Sequence, residues 1–391
     1  MNQAIMIGAG TIGRGFIGAI LSRSGYHVTF ADVNMTLIDA INAEGRYTVH
    51  IQDRNPAAFT ITNIDGISSA GPELAEALKT AELVTTAVGL RILPIVAKPI
   101  AAGIAARKAA GNAAPLNIVA CENAVRATSQ LKNAVYALLD DETKAFADAN
   151  VGFADCAVDR IVPKMDFAAP LDVAVEEFSE WDVERSGWKG ELPQIDGMSV
   201  VDDLSAYIER KLFTLNSGHA ICAYLGCLRG HHTILDSVSD PVIGPIVYRA
   251  MQQSGAGLVK KFSMDEQKHQ AYIDRIFARF HNPYLQDEVA RVGREPIRKL
   301  AASDRLINPL LTAYNFRLPV DQLIFGAAAA LRYDNAEDPQ SVELQKTIAE
   351  QGAAAALEQY SGLAADHPSG KHSYRSTLLC KGTSGCQHRR S

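Results

Sequence analysis

The sequence predicts an α/β protein in which a Rossmann-type dinucleotide-binding domain precedes a mostly α-helical domain. A short apolar run leads at once into a G-x-G-x-x-G loop, and further apolar, β-branched runs alternate with helical patterns. From residue 202 to about residue 365, helical periodicity dominates. The chain of 391 residues is long enough for two cores, since a single core stops growing at about 250 to 300 residues. We therefore expect domains at 1–197 and 198–367, followed by a basic, disordered tail at 368–391.

Composition limits the classes of function. Apolar residues make up 47% of the chain, and no stretch approaches about 18 consecutive apolar residues, so we expect no membrane-spanning segment. The net charge of −6 argues against nucleic-acid binding, which needs a basic surface. The six cysteines lack zinc-finger spacing and are too sparse for a disulfide framework. With no secretion-signal pattern at Met1, this usage favours a cytoplasmic location.

The first predicted strand, residues 4–7, leads into Gly8-Ala9-Gly10-Thr11-Ile12-Gly13. In a Rossmann unit the first glycine makes a tight turn, the second lets the backbone approach a pyrophosphate, and the third allows close packing of helix and strand. A helical pattern and a second strand follow, and that strand ends at Asp32. An acid in this place accepts hydrogen bonds from the ribose of NAD and repels the 2′-phosphate of NADP. The loop and Asp32 therefore predict an NAD site.

Three later runs, at 82–89, 116–121 and 151–163, predict further strands. The second ends in Glu122-Asn123, which places polar side chains at the carboxyl edge of the sheet, where open α/β sheets bind ligands. Asn123 could equally form an Asx turn into the next helix. The third run contains Asp159-Arg160, for which an internal ion pair is the structural alternative.

The predicted helix at 209–219 combines Lys211, Asn216 and His219. At about 100° per residue these side chains point to about 0°, 140° and 80°, within less than half of the circumference. Their neighbours on that face are apolar. A lysine in such surroundings loses solvation, which lowers its pKa and lets its amine take a proton from an alcohol. The alternative is a solvated lysine at a helix edge.

The segment 291–299 contains four cations within nine residues. Arginine binds phosphate through two parallel hydrogen bonds, so this segment favours an anionic substrate. We predict Arg294 and Lys299 as its ligands. The alternative is a set of solvated charges near a turn.

Together these residues resemble the polyol-specific long-chain dehydrogenase/reductase family, and within it the enzymes specific for mannitol 1-phosphate. The resemblance extends from Met1 to about residue 365. The segments that carry it are Gly8-Ala9-Gly10-Thr11-Ile12-Gly13-Arg14-Gly15-Phe16, Phe30-Ala31-Asp32-Val33-Asn34, Cys121-Glu122-Asn123, Val158-Asp159-Arg160-Ile161-Val162-Pro163 and Lys211-Leu212-Phe213-Thr214-Leu215-Asn216-Ser217-Gly218-His219. It implies a metal-independent oxidoreductase that interconverts D-mannitol 1-phosphate and D-fructose 6-phosphate with NAD.

The resemblance also implies roles for single residues. Lys211 is the general acid/base, Asn216 and Asn123 bind the reacting oxygen, His219 orients the substrate and Asp159 borders the sugar. No clustered Cys/His pattern for zinc is present in the sequence, so we expect alcohol activation to rest on the lysine and the amides.

Two other functions remain open. One is a dehydrogenase of the same fold that acts on unphosphorylated polyols or sugar acids. The other is a non-catalytic, NAD-binding regulator, which would not need the polar set of the 209–219 helix. The sequence leaves the choice between monomer and dimer undecided.

Overall fold

The computed structural model of the chain describes residues 2–363 except 54, 164 and 286. The predicted basic tail at 368–391 lies outside these residues. The chain divides into two compact units, one ending at Tyr207 and the other beginning at Ile208.

The first unit contains one six-stranded sheet and two three-stranded sheets. Its strands are β1 (Gln3–Ile7), β2 (His27–Asp32), β3 (Tyr47–Ile51), β4 (Ala57–Ile61), β5 (Ile64–Ser68), β6 (Leu83–Thr86), β7 (Leu116–Ala120), β8 (Val151–Phe153), β9 (Cys156–Asp159), β10 (Val173–Val175), β11 (Glu180–Glu184) and β12 (Ser199–Val201). Its helices are α1 (Gly18–Arg23), α2 (Met35–Glu44), α3 (Glu73–Ala77), α4 (Leu93–Ala109), α5 (Ala127–Tyr136), α6 (Asp141–Asn150) and α7 (Leu204–Arg210), of which the last extends across the division between the units. A π-helical turn at Gly13–Ile17 precedes α1, and a 3₁₀ turn lies at Arg185–Gly187.

The six-stranded sheet has the order β5-β2-β1-β6-β7-β8, and all neighbouring strands are parallel. The chain builds outward from β1 in one direction through β2 and β5, and then in the other through β6, β7 and β8. The order therefore reverses between β1 and β6. In open α/β sheets such a reversal opens a crevice at the carboxyl ends of the strands, where ligands bind. The predicted Rossmann-type architecture is confirmed.

The sheet is buried on both faces, which explains why its strands are continuous apolar runs. In β1, Ala4 and Met6 pack into a core that includes Phe16 of the π-turn. Ile5 and Ile7 pack into a second core that includes Ile100 of α4. A strand whose alternate side chains enter two different cores has no exposed face that would favour polar residues.

The predicted strand at 151–163 is wrong in one respect, because the structure has two strands there in two different sheets. β8 joins the parallel sheet, whereas β9 pairs antiparallel with β11. Asp155 lies between them and is buried. Its carboxylate accepts hydrogen bonds from the Ser129 N–H at 2.9 Å and the Ser129 hydroxyl at 2.6 Å, and it pairs with Arg126 at 3.2 Å. These contacts with α5 fix the point at which the chain changes sheets.

The second unit is helical, as predicted. A π-helical turn at Lys211–Asn216 follows α7. The helices are α8 (Ser217–Leu228), α9 (Ile234–Ser239), α10 (Ile243–Phe262), α11 (Glu266–Phe280), α12 (Val289–Gly293), α13 (Pro296–Lys299), α14 (Asn308–Asn315), α15 (Asp321–Ala330), α16 (Pro339–Gln351) and α17 (Ala353–Ser361). Over the described ranges of the whole chain, no helix combines the length and the apolar character needed to cross a membrane.

Candidate active site

The three glycines of the loop after β1 have three different surroundings. Gly8 has a φ of +101°, and a Cβ there would lie 2.5 Å from the Ala87 carbonyl oxygen. A Cβ on Gly13 would lie 1.9 Å from the Gly8 carbonyl oxygen, so helix and strand are in backbone contact. A Cβ on Gly10 would meet no atom within 4 Å. The loop is therefore closed at its first and third glycine and open at its second, which is the geometry that a dinucleotide pyrophosphate requires.

Asp32 ends β2 and its carboxylate is bound by two backbone amides. Ala9 N–H donates to one carboxylate oxygen at 2.7 Å, and Asn34 N–H donates to the other at 2.9 Å. Thr11 and Ile12 of the loop are exposed at the start of the following helix. The predicted acid and the predicted loop are thus in direct contact, and the acid keeps further lone pairs for ribose hydroxyls.

Arg14 supports this loop and was not predicted from the sequence. Its buried guanidinium donates to the Ala9 carbonyl and, at 3.1 Å, to the Leu171 carbonyl. The Tyr47 hydroxyl donates to the Arg14 carbonyl at 2.7 Å. Burial lowers the pKa of Arg14, while the charge of the Asp32 carboxylate opposes this shift. The only signal for Arg14 in the sequence is its position directly after Gly13, the last glycine of the loop.

Asn123 is the third residue after the end of β7 and is exposed, at the carboxyl edge where the sequence predicted it. The preceding residue, Glu122, is buried and holds the neighbouring loop. Its carboxylate accepts from the Thr86 hydroxyl at 2.7 Å, the Val88 N–H at 3.0 Å and the Gly89 N–H at 2.9 Å. Glu122 therefore fixes the loop after β6 against the segment that carries Asn123.

Asp159 ends β9 and is buried opposite Glu180 of β11. The adjacent Arg160 donates two hydrogen bonds, at 2.9 and 3.1 Å, to the Glu176 carbonyl and a longer one, at 3.4 Å, to the Gly15 carbonyl. Burial lowers the pKa of Arg160 to about 10. Arg160 thus connects this strand to the turn behind the glycine loop.

Lys211 and Asn216 begin and end a π-helical turn, where the sequence predicted a regular α-helix. In an α-helix, the side chains of two residues five positions apart point about 140° away from each other. In a π-helical turn the hydrogen bonds run from i to i+5, so two such residues lie about one turn apart on the same side of the helix. Phe213, Thr214 and Leu215 between them are buried, and both polar residues are partly exposed. The π-turn therefore presents the lysine and the asparagine together at the border of an apolar core. Single π-turns inside helices are frequent at functional sites.

His219 lies one turn further along, in α8. Its Nε2 is 3.1 Å from the Asp287 carboxylate, and its ring stacks on Phe280 with the centroids 5.2 Å apart. Burial lowers the pKa of His219 although the hydrogen bond to Asp287 opposes this shift. The ring is therefore neutral near pH 7 and donates through Nε2–H. Asp287 was not predicted, because nothing local in the sequence connects it to a histidine 68 positions earlier.

The cation-rich segment divides into exposed and buried groups. Arg291 pairs with Asp287, whereas Arg294 is exposed and forms no ion pair within the described part of the chain. Lys299 is only 4% exposed, and its ammonium donates to the carbonyls of Val292, at 2.6 Å, and Arg294. Burial and the positive charge of Arg305 lower the pKa of Lys299 to about 7. Lys299 thus holds the loop that carries Arg294, and it keeps one donor for another acceptor.

Each unit carries one group of the predicted site residues. The first has the glycine loop, Asp32, Asn123 and Asp159, and the second has the residues of the π-turn, His219, Arg294 and Lys299. Within the ranges that the structure describes, no three His, Cys, Asp or Glu side chains are grouped so that they could hold a metal ion.

Two solved structures share this fold over nearly the whole chain. A D-sorbitol dehydrogenase in substrate-free form has a TM-score of 0.81 at 15% identity, and the alignment covers 97% of this chain and 92% of that chain. The mannitol 2-dehydrogenase of Pseudomonas fluorescens, solved as a ternary complex with NAD and D-mannitol, has a TM-score of 0.68 at 17% identity, with coverage of 97% and 91%. At such identities the likeness establishes the fold.

Family models match both parts of the chain. The model described as the mannitol dehydrogenase Rossmann domain matches residues 2–197, and the one described as the mannitol dehydrogenase C-terminal domain matches residues 203–366. The family-level resemblance is thereby confirmed, whereas specificity for a phosphorylated polyol stays a prediction. The chain belongs to the mannitol dehydrogenase family, and it is an NAD-dependent oxidoreductase of the polyol dehydrogenase type.

Proposed function

We propose that the protein is a mannitol-1-phosphate 5-dehydrogenase, which interconverts D-mannitol 1-phosphate and D-fructose 6-phosphate with NAD. One observation carries the proposed dehydrogenase chemistry. The π-turn places Lys211 and Asn216 on one side of a helix at the border of an apolar core, with His219 one turn further along. A non-catalytic NAD-binding regulator would have no need for this arrangement. The proposed setting is the cytoplasm, which fits the four described cysteines, all of them unbridged.

In the proposed oxidation, the neutral amine of Lys211 takes the proton of the reacting hydroxyl. NAD, when bound, supplies the hydride acceptor. The side-chain amides of Asn216 and Asn123 donate hydrogen bonds to the oxygen as it becomes negative, because such donors stabilise the charge that develops in the transition state. His219, fixed by Asp287, orients the substrate. In the reverse direction the Lys211 ammonium returns the proton to the alkoxide.

The cofactor contacts follow from the geometry of the loop. Gly10 leaves open space beside the backbone for the pyrophosphate. Asp32, held by the Ala9 and Asn34 amides, would accept from the ribose hydroxyls. Its charge opposes a 2′-phosphate, which favours NAD over NADP.

Arg294 and Lys299 are the proposed ligands of the substrate phosphate. Arg294 is the stronger candidate, because it is exposed and free of an ion pair within the described residues. Lys299 would add its third donor and hold the Arg294 backbone in place. Asp159, buried at the end of β9, is proposed to border the sugar.

The rival function is oxidation of an unphosphorylated polyol. One structural observation favours it, because much of the cation-rich segment has internal partners. Arg298 pairs with Glu295 at 2.7 Å and with Asp304 at 3.4 Å, and Lys299 is buried against carbonyls. The sorbitol and mannitol 2-dehydrogenases with the same fold are, by their names, enzymes of unphosphorylated polyols.

A single set of rate measurements separates these functions. NADH formation is followed by absorbance with D-mannitol 1-phosphate, D-mannitol and D-sorbitol, and the ketose product is identified by chromatography. The proposal expects kcat/KM for mannitol 1-phosphate to exceed the values for both unphosphorylated polyols. A preference for mannitol or sorbitol would establish the rival function. Cofactor binding without turnover of any of the three would identify a non-catalytic role.

A further inference from the structure

The carbonyl group of Phe213 has an unusual partner inside the π-turn. In a regular α-helix it would accept from the Ser217 N–H, four residues later. Here the Ser217 N–H donates to the carbonyls of Leu212 and Thr214 and bypasses Phe213. The Phe213 carbonyl accepts instead from the hydroxyl of Ser254 in α10, at 2.8 Å. Ser254 is completely buried, so water cannot take over this role.

Close packing of α10 on the turn makes this contact possible. Gly218 is the second residue after the turn, and a Cβ there would lie 2.8 Å from Cγ and Sδ of Met251. Met251 and Ser254 are three positions apart and share one face of α10. The absence of a side chain at Gly218 therefore lets α10 approach until Ser254 reaches the carbonyl.

A second hydroxyl supports the same turn. Ser217 Oγ lies 3.0 Å from the Leu212 carbonyl oxygen and 2.5 Å from the Arg305 carbonyl oxygen, so its single proton is shared between two acceptors. Ser217 directly follows the turn as the first residue of α8, whereas Ser254 comes from α10. Ser254 is therefore a side chain from a distant helix that donates directly to a carbonyl of the turn.

We propose that Ser254 is a positioning residue that keeps the Lys211–Asn216 turn in its i to i+5 hydrogen-bond register. The inference rests on the proposed roles of Lys211 and Asn216. Without the Ser254 hydroxyl the buried Phe213 carbonyl loses this donor, and the α-helical register, in which the Ser217 N–H serves it, becomes the better solution. In that register Lys211 and Asn216 diverge by about 140°. The proton acceptor and the amide donor then no longer face the same substrate oxygen.

The test uses Ser254→Ala, with Ser237→Ala as the matched control. Ser237 is also completely buried in the second unit, and its hydroxyl donates to the Thr233 carbonyl at 2.8 Å, but it supports the regular helix α9. We expect Ser254→Ala to lower kcat about 10- to 100-fold, since a misplacement of about 1 Å can cost about 100-fold in rate. Dissociation constants for NADH should stay within about threefold of wild type in both variants. Ser237→Ala should keep the wild-type kcat.

Two further measurements separate positioning from general destabilisation. Ser254→Cys keeps the shape and a weak donor, so its kcat should lie between those of wild type and Ser254→Ala. If the alanine variant does not fold, the cysteine variant decides in its place. A crystal structure of Ser254→Ala should show the Ser217 N–H bonded to the Phe213 carbonyl.

Two results would overturn the inference. One is a kcat of Ser254→Ala no lower than that of Ser237→Ala. The other is an unchanged i to i+5 register in the Ser254→Ala crystal structure. If neither wild type nor Lys211→Ala turns over any polyol, the proposed function is refuted. The crystal structure of Ser254→Ala still tests the hydrogen-bond register of the turn in that case, because it requires no activity.

Discussion

Nε2 of His219 and Oδ2 of Asp287 lie 3.1 Å apart in the helical unit, and Phe280 stacks on the other side of the same imidazole. Because a carboxylate accepts the Nε2 proton, Nδ1 is left as the acceptor of the neutral ring. The pKa of Asp287 is lowered although burial opposes it, because the hydrogen bond from His219 and the charge of Arg291 stabilise the carboxylate. The pair fixes both the orientation and the tautomer of His219.

Asp287→Asn should raise KM for mannitol 1-phosphate about 10-fold while kcat falls less. The amide can donate to Nε2 and so select the wrong tautomer. Loss of the carboxylate partner of a metal-bound histidine costs about 10- to 100-fold, and we expect the lower end of that range for this histidine, whose proposed role needs no metal. The matched control is Asp240→Asn, since Asp240 pairs with His231 at 3.0 Å outside the proposed site. Equal changes of KM in both variants would show that the His219 pair has no special role.

Asp32 variants test the cofactor site. Asp32→Asn retains an acceptor for the Ala9 amide but loses the charge, so kcat/KM with NADP should rise relative to that with NAD. Asp32→Ala should in addition weaken NAD binding, because the amide loses its acceptor. Asp39→Asn removes an exposed acid from α2 and controls for net charge. An unchanged ratio of NAD to NADP efficiency in both Asp32 variants would disprove this role.

Lys211→Ala should lose about 10²- to 10⁴-fold in kcat with the dissociation constant for NADH nearly unchanged, because only proton transfer is removed. In wild type, kcat/KM for oxidation should rise with pH as the ammonium loses its proton, and ketone reduction should show the opposite dependence. A small added amine should restore part of the rate in the variant.

His219 is the rival base and needs its own variant. His219→Ala should raise KM at least as much as it lowers kcat, and it should keep the pH dependence of oxidation. If that dependence disappears in His219→Ala and persists in Lys211→Ala, the two roles are reversed.

Arg294→Ala should lower kcat/KM for mannitol 1-phosphate about 10- to 150-fold, since a charged hydrogen bond to phosphate contributes about 1.5–3 kcal/mol. Activity on D-mannitol should not change. Arg298→Ala is the control, because Glu295 and Asp304 already neutralise that guanidinium. A loss of the same size on mannitol would mean that Arg294 acts on the fold and does not contact the phosphate.

His269 in α11 should make the protein less stable in mild acid. Burial, assisted by the charge of Arg210, lowers the pKa of His269 to about 4. Between pH 6.5 and pH 4 the unfolded chain binds a proton at this histidine that the folded chain does not, so the free energy of unfolding falls as pH falls, by up to about 3 kcal/mol. Urea unfolding across this range should show a shallower slope in His269→Gln. The exposed His232→Gln should keep the wild-type slope.

The sequence predicted those parts of the molecule that depend on local pattern. The glycine loop, Asp32 and the apolar strands lie within one continuous segment, and each has a local physical reason. The division of 151–163 into two strands could not be predicted, because it depends on Asp155 meeting α5 in space. The predicted site residues themselves remain to be tested by the variants above.

The π-turn is a feature that the local sequence pattern could not predict. Residues 211–219 are compatible with a regular α-helix, and the i to i+5 register depends on contacts with Ser254 and Arg305, which are distant in sequence. The burial of Lys299 is similar, since a cation near a turn is usually solvated. Only the fold reveals that the carbonyls of Val292 and Arg294 receive its ammonium.

Glu122 has a consequence for how two ligands affect each other's affinity. Its two carboxylate oxygens hold the amides of Val88 and Gly89, and the next residue in the chain is Asn123. A cofactor that orders the loop after β6 would thereby also restrict the segment that carries Asn123, the proposed donor to the substrate oxygen. Coupling between two ligands is reciprocal in free energy. If bound NAD raises the affinity for the polyol by some factor, bound polyol must raise the affinity for NAD by the same factor. The buried carboxylate of Glu122 provides a physical link between the two binding sites.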